Sequence, residues 1–93
     1  MEKIIQTIKI YFGTSEMLFS KSRDRRSVFA RRAYMYLIKN YTNTVNSEIA
    51  KILNCSVPNI SIQLSKLNFE ITKYIGVRNE IIEIERIYNE MQN

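Results

Sequence analysis

Two short apolar repeats joined by only three residues constrain the fold of this chain more than any other feature. The repeats span about 46–53 and 57–67, and Asn54-Cys55-Ser56 lies between them. Ser56 is well placed to cap the second repeat, and Pro58 then falls in its first turn, where a missing N–H costs nothing. This arrangement predicts a helix-turn-helix. The repeats have the three-and-four spacing of amphipathic helices, carried by Ile49, Ile52 and Leu53 and then by Ile60, Leu64 and Leu67.

The rest of the chain is also predicted to be helical, because it contains few turn-forming residues. Only 2 glycines and 1 proline occur in 93 residues, and 45% of the residues are hydrophobic. An opening helix can end at Gly13, Ser15 can cap a short helix over 16–19, and a longer core helix is predicted from about 28 to 41. The apolar stripe of the opening helix consists of Ile4, Ile5, Ile8, Tyr11 and Phe12.

Two further helical segments are predicted in the C-terminal part. Residues 69–75 form one or two turns that Gly76 ends, and a final helix covers about 78–92. The final helix has a heptad-like stripe that supplies either the lid of the core or a small dimer seam. This stripe consists of Val77, Ile81, Ile84, Tyr88 and Met91. We therefore expect one all-α domain over residues 1–93, a small helical bundle that contains the helix-turn-helix.

Positive charge is concentrated in one part of the sequence. The net charge is +5, yet seven basic residues accompany a single acidic one between Lys21 and Lys39, whereas five acidic residues accompany three basic ones after Asn68. Residues 20–27 have almost no apolar side chain to bury, so we predict an exposed basic loop there. One basic face and one mildly acidic end suit a polyanionic partner. The candidate phosphate-binding residues are Lys21, Arg23, Arg25, Arg26, Arg31 and Arg32.

The predicted second helix of the helix-turn-helix supplies a second set of candidates. A rotation of about 100° per residue from Ile60 places an arc of side chains away from the core. Asn59 can pair with adenine and Lys66 with phosphate, whereas Pro58 and Ile62 offer only apolar contact, to thymine methyl groups or to a partner protein. The candidates on and beside this arc are Ser56, Val57, Pro58, Asn59, Ser61, Ile62, Ser65 and Lys66.

Several function classes are disfavoured by residues that the sequence lacks. It has no histidine and 1 cysteine, which excludes mixed Cys/His zinc sites and an internal disulfide, and Cys55 is expected to be a small turn residue. No apolar run approaches the roughly 18 residues of a membrane span, and Met1-Glu2-Lys3 does not begin a signal peptide. We expect a cytoplasmic protein with no metal, no cofactor and no membrane partner.

The tyrosines and the C-terminal acidic residues are expected to be structural. A catalytic tyrosine needs a metal or an arginine cluster around its phosphate target, and the sequence offers no metal site. We assign the tyrosines to the core and its rim and the acidic residues to the solvated face of the final helix, and we expect no enzymatic activity. The residues concerned are Tyr34, Tyr36, Tyr41, Tyr74 and Tyr88, and Glu80, Glu83, Glu85 and Glu90.

Several segments between about Ile5 and Met91 resemble the carboxy-terminal DNA-binding domain of the bacterial replication initiator DnaA. Tyr11-Phe12-Gly13 resembles the end of that family's opening helix, and residues 18–25 resemble its Leu-Leu-Ser-Lys-Lys-Arg-Ser-Arg basic loop. Residues 30–37 resemble its Pro-Arg-Gln-Ile-Ala-Met-Tyr-Leu helix. The resemblance implies an all-α fold that binds double-stranded DNA, with Arg23 and Arg25 in the minor groove and the second helix of the helix-turn-helix in the major groove.

The recognition segment departs from that family. The family's Gly-Gly-Arg-Asp-His-Thr-Thr-Val signature is replaced here by residues 54–60, with one residue fewer before the buried aliphatic. Recognition of the initiator's target box is therefore not carried over, and the segment is similar to a regulator-type, TrpR-like helix-turn-helix. A related domain ends the REP-associated tyrosine transposases. Neither the transposase's metal-binding histidines nor the initiator's ATPase motif occurs in this sequence.

Three interpretations of function remain open. The first is a DNA-binding domain in replication, transposition or transcriptional regulation, which neutralises about five phosphates and gives a salt slope of roughly −4 to −5. The second is a protein-interaction or regulatory module that keeps the fold without specific DNA readout and docks through Ile62 and the final helix. The third takes the chain as a piece of a larger transposase or initiator protein. A weak homodimer through the C-terminal helix is compatible with each.

Overall fold

A computed structural model describes residues 2–91, which form five α-helices and one 3₁₀ turn. No strand occurs in this part of the chain, so the prediction of an all-α fold is confirmed. Met1, Gln92 and Asn93 lie outside the described residues, and with them the last position of the helix predicted over 78–92. The elements are α1 (Glu2–Phe12), the 3₁₀ turn (Glu16–Leu18), α2 (Arg25–Tyr41), α3 (Asn46–Leu53), α4 (Val57–Lys73) and α5 (Ile75–Glu90).

The opening helix, α1, matches its prediction. Ile4 and Ile8 are buried in the core, and α1 packs against α2 and α5. Gly13 ends the helix in the left-handed region, with a φ of 86°. Glycine adopts this conformation without the steric cost that a side chain would bring, which explains why the helix ends at this residue.

The 3₁₀ turn differs from the prediction at its cap. Ser15 precedes the turn but makes no side-chain cap hydrogen bond. The hydroxyl oxygen of Thr14 instead accepts the Glu16 N–H at 3.1 Å. Serine and threonine offer the same local acceptor, so the sequence pattern did not distinguish between these two neighbours. Leu18, at the end of the turn, is fully buried and fixes it to the core.

The next helix, α2, begins earlier than predicted, and this shortens the basic loop. Asp24 is its N-cap, and a carboxylate oxygen of Asp24 accepts the Ser27 N–H at 3.1 Å. Arg25, Arg26 and Ser27 therefore lie in the first helical turn, and the prediction of a loop throughout 20–27 is wrong. The first turn of a helix needs capping but no apolar side chain, so a polar run is compatible with either structure.

The predicted helix-turn-helix is confirmed as α3 and α4. Asn54 ends α3 with a left-handed φ of 54°. At the start of α4, the Ser56 hydroxyl oxygen accepts the Asn59 N–H at 3.3 Å, and Pro58 lies in the first turn. Ile60 is fully buried and directs this face of α4 toward the core, which leaves the opposite face exposed.

The boundary between α4 and α5 differs from the prediction. The first of these helices continues from Leu67 through Lys73 without a break, and Gly76 lies in the first turn of α5. The prediction that Gly76 ends a helix is therefore wrong. Tyr74 separates the two helices with an ordinary extended backbone, φ −114° and ψ 116°, which requires no glycine.

The last helix, α5, closes the core against α1 and α4. Ile81, Ile84 and Tyr88 are buried, so the apolar stripe of this helix is the lid of the core. Among the other tyrosines, Tyr34 is fully buried and Tyr41 is exposed at the rim. No helix within residues 2–91 is long and apolar enough to span a membrane.

Candidate nucleic-acid interface

A groove of about 570 Å³ lies between the basic segment, residues 20–32, and the helix-turn-helix. Lys21 and Arg23 of the basic segment line it, and so do Asn59 and Lys66 of α4. Segments that are distant in the sequence therefore form one continuous surface. The other lining residues are Ser20, Val28, Arg31, Arg32, Met35, Leu53, Asn54, Cys55 and Gln63.

Four cations on or beside this groove are free to meet a ligand. Arg23, Arg25 and Lys66 are exposed and have no hydrogen-bond or ion-pair partner within residues 2–91. Lys21 is also exposed, and its Nζ donates to the carbonyl oxygen of Asn54 at 3.2 Å. This bond connects the basic loop to the turn of the helix-turn-helix and leaves the ammonium group with two further donors.

A second groove, of about 950 Å³, adjoins the first. Arg23, Val28 and Arg32 line both grooves, so Arg23 lies at their border. Arg25 and Arg26 line only the second groove, whose wall also includes glutamates of α4 and α5. The six basic candidates are therefore divided between two surfaces.

The guanidinium of Arg31 is hydrogen-bonded to backbone carbonyl oxygens of the preceding loop. Its guanidinium donates to the carbonyl oxygens of Met17 at 3.1 Å and Ser20 at 3.0 Å, and also to that of Ser22. A planar guanidinium can make these bonds together, because its five N–H groups point outward in fixed directions. Arg31 therefore stabilises the loop that carries Lys21 and Arg23.

The neighbouring side chain, Arg32, connects α2 to α4. Its Nη1 lies 3.1 Å from Glu70 Oε1, and its Nε donates to Gln63 Oε1 at 2.7 Å. Only 15% of the Arg32 side chain is exposed, so these bonds are shielded from water. The bonds fix α4 against the helix that follows the basic loop.

The guanidinium of Arg26 contacts side chains of α1 and α5. Its Nη1 lies 3.0 Å from Glu80 Oε1, and its central carbon lies 4.6 Å from the centroid of the Phe12 ring. The Tyr11 hydroxyl also donates to Glu80, at 2.6 Å. Burial alone would raise the pKa of Glu80, but the hydrogen bonds from Tyr11 and Arg26 lower it below its ordinary value. The Glu80 side chain is 37% exposed, so it lies at the edge of the solvated face of α5 and is paired there with Arg26 and Tyr11.

The outward arc of α4 is exposed as predicted, but some of its polar groups are half-buried or hydrogen-bonded within the protein. Ile62 is 52% and Val57 43% exposed, and both are apolar. Ser61 Oγ accepts from Asn46 Nδ2 at 3.3 Å, and Asn59 is half-buried. The other exposed residues of the set are Ser56, Pro58, Ser65 and Lys66. Contact of these side chains with DNA stays a prediction.

One residue that the sequence did not single out also lines the first groove. Gln63 lies one helical turn after Asn59, and its Nε2 donates to Asn59 Oδ1 at 3.3 Å. Its Oε1 accepts from Arg32, as described above. The i, i+4 spacing of two amide side chains on one helix is the signal that could have identified this pair.

Cys55 lines the groove as a half-buried free thiol. Within residues 2–91, no group of three or more histidine, cysteine, aspartate or glutamate side chains could hold a metal ion.

The chain matches the family described as bacterial dnaA protein helix-turn-helix over residues 1–57, which is more than half of its length. The match includes α1, α2 and α3 and ends at the first residue of α4, so the likeness that the sequence suggested up to Met91 is supported only as far as Val57. No curated protein matches the chain. The likeness to transposase domains and to TrpR-like regulators stays a prediction. The chain belongs to the bacterial DnaA helix-turn-helix family, and this membership suggests that it binds DNA.

Proposed function

We propose that this protein is a non-enzymatic binder of double-stranded DNA that places the start of α4 in the major groove and the basic loop on the adjacent phosphates and minor groove. The observation that carries the proposal is the groove lined by Lys21 and Arg23 on one side and by Asn59 and Lys66 on the other. In helix-turn-helix proteins, the first residues of the second helix contact base edges. The family membership supports DNA as the partner.

The basic residues have two different roles in this proposal. Lys21, Arg23, Arg25 and Lys66 contact DNA, because their charges are exposed. Arg26, Arg31 and Arg32 position the loop and the helices, because their guanidinium groups are bonded within the protein. Four phosphate contacts correspond to a slope of log K against log salt of roughly −4.

Fluorescence anisotropy on random-sequence duplex DNA, at low and high salt, tests the proposal. The Arg23→Ala/Arg25→Ala variant should bind more weakly and reduce the slope by about 2. The matched control is Lys3→Ala/Lys9→Ala, which removes the same charge from exposed positions on α1 that do not line the groove. A salt-independent response of the wild type would contradict the proposal, and so would equal losses in the two variants.

The biological role follows from the target sequence. Replication, transposition and transcriptional regulation use different sites, so site selection from randomised duplexes should precede any assignment among them. The part of the chain that differs from the DnaA recognition signature includes the start of α4, which is the part that would read bases. We therefore propose a target other than the initiator's box.

A second candidate is a protein-interaction module, and exposed apolar side chains favour it. Ile62 is 52% and Phe69 58% exposed on α4, and Ile82 is 55% exposed on α5. The buried stripe of α5 is not accessible for docking, so a partner or a second copy would have to use these exposed positions. Light scattering that shows a strict monomer, together with salt-sensitive DNA binding, would count against this candidate.

A further inference from the structure

Three side chains form a hydrogen-bonded chain from α2 to the start of α4. Arg32 Nε donates to Gln63 Oε1 at 2.7 Å, and Gln63 Nε2 donates to Asn59 Oδ1 at 3.3 Å. All three residues line the groove between the basic loop and the helix-turn-helix. This hydrogen-bonded chain therefore ends at the Asn59 amide, on the surface where the proposed function places the bases.

The arginine at the start of this chain fixes the orientation of both amides. A guanidinium only donates hydrogen bonds, so Gln63 must direct its oxygen toward Arg32. The Gln63 nitrogen is then directed toward Asn59 and can only donate, so Asn59 must present its oxygen to Gln63. The Asn59 Nδ2 group remains to donate to a ligand.

Further contacts hold Arg32 and Asn59 in this orientation. The second bond of Arg32, from Nη1 to Glu70 Oε1, is 3.1 Å long, and 15% of its side chain is exposed. The backbone N–H of Asn59 is also bonded, to Ser56 Oγ at 3.3 Å, which fixes the start of the helix. Reversal of either amide would place two donors or two acceptors against each other.

From this arrangement we infer that Asn59 is a specificity-determining residue that reads a base with hydrogen-bond acceptors on its major-groove edge, guanine above all. This inference rests on the proposed DNA-binding function. Guanine presents N7 and O6, both acceptors, which the Nδ2 group of Asn59 can meet. Adenine presents one acceptor and one donor, so its bidentate contact with asparagine needs the amide oxygen to face the base edge together with the nitrogen. The bond from Gln63 uses one of the two lone pairs of the Asn59 oxygen and directs that oxygen toward the protein.

A single substitution reverses the polarity of the chain. In Gln63→Glu, one carboxylate oxygen keeps the bond from Arg32, and the other accepts from Asn59 Nδ2. The amide of Asn59 then turns over and presents its oxygen to the groove, where it accepts from adenine N6 or cytosine N4. The neutral variant Gln63→Leu removes the chain without reversing it, and it separates the effect of polarity from that of the added negative charge.

Selection from randomised duplexes, followed by affinity measurements on the selected site, tests the inference. The wild type should enrich guanine at one position, and Asn59→Ala should lose that enrichment. Replacement of this guanine by adenine should weaken wild-type binding about tenfold. Gln63→Glu should prefer adenine or cytosine at the same position, and Gln63→Leu should release Asn59 to accept adenine. Circular dichroism on each variant shows that the fold is retained.

The outcomes separate this inference from the function on which it rests. Enrichment of adenine at the Asn59-dependent position of the wild type would overturn the inference, as would an unchanged preference in both Gln63 variants. Salt-sensitive binding without any Asn59-dependent position would also overturn it, while the proposed DNA binding would stand. The absence of salt-sensitive binding to random duplex would instead contradict the proposed function, and the inference with it.

Discussion

The two halves of the basic segment, residues 20–25 and 26–32, are both positively charged but have opposite structural roles. Lys21, Arg23 and Arg25 lie before or at the start of α2 and extend into solvent. Arg31 and Arg32, further along α2, are half-buried and bonded to carbonyl or side-chain oxygens of the protein. The comparison shows that the charge of a sequence segment overstates the number of cations that a ligand can meet, because helix geometry directs some of them inward.

The largest difference between the halves should appear in stability. Arg32→Met keeps the apolar stem of the side chain but leaves Gln63 and Glu70 without their donor. Hydrogen bonds to charged groups contribute about 1.5 to 3 kcal/mol, so we expect the free energy of unfolding to fall by about 2 kcal/mol. The control, Arg25→Met, should change it by less than about 0.5 kcal/mol, because Arg25 is exposed. Urea denaturation of both variants measures the difference, and equal losses would remove the basis for the comparison.

Arginine-to-lysine substitutions should separate positioning from direct contact. Arg31→Lys keeps the charge but cannot bond the carbonyl oxygens of Met17, Ser20 and Ser22 together, so the loop that carries Arg23 loses its support. We expect DNA affinity to fall about tenfold, which is 1.4 kcal/mol. Arg25→Lys should have little effect on binding to random duplex, since lysine also contacts phosphate as a point charge.

The positioning role of Arg31 also predicts how its substitution combines with the loss of the basic side chains on the loop. In a Lys21→Ala/Arg23→Ala background, Arg31→Lys should cost little affinity, because the side chains that Arg31 positions are already absent. Anisotropy titrations of the four proteins measure this coupling. Additive losses would contradict the positioning role, because Arg31 would then contribute to binding independently of those side chains.

The salt dependence of DNA binding should show a smaller difference, between the exposed arginines and Arg26. Arg23→Ala should reduce the slope of log K against log salt by about 0.9, the value for one phosphate contact. Arg26→Ala should reduce it by clearly less, because the Arg26 guanidinium is paired with Glu80 at 3.0 Å and lies over the Phe12 ring. Equal reductions would show that Arg26 leaves Glu80 when DNA binds.

The sequence predicted the elements of this fold better than their junctions. The period of apolar residues identified α1, α3 and the buried face of α4, because burial imposes that period directly. The junctions depended on polar side chains with several equivalent local partners, as at Thr14 and Asp24, and on Tyr74, which separates two helices without glycine or proline.

The sequence identified the basic candidates, but not how their side chains are arranged. Every basic candidate could be read from the sequence, since charge and spacing are local properties. Which of them face a ligand depends on acceptors elsewhere in the chain, such as Ser20 for Arg31, Gln63 for Arg32 and Glu80 for Arg26. No periodicity in the sequence specifies these pairs.

The smallest predicted effect concerns Asp24, the acidic residue between the two free arginines. The hydroxyl of Ser22 and the groups of Ser27 that bond to its carboxylate lower the pKa of Asp24 from 3.8 to about 2. Because the pKa is lower in the folded than in the unfolded state, the cap is fully stabilising above pH 4 and is lost as the pH falls toward 2.

Asp24→Asn keeps an N-cap acceptor but does not titrate. Its melting temperature should therefore fall less than that of the wild type between pH 4 and pH 2, in thermal scans monitored by circular dichroism. Glu16→Gln, which removes an exposed carboxylate with no side-chain partner in the described residues, should follow the wild type. If Asp24→Asn followed the wild type as well, the charge of the cap would not contribute to the stability of the start of α2, where the exposed Arg25 lies.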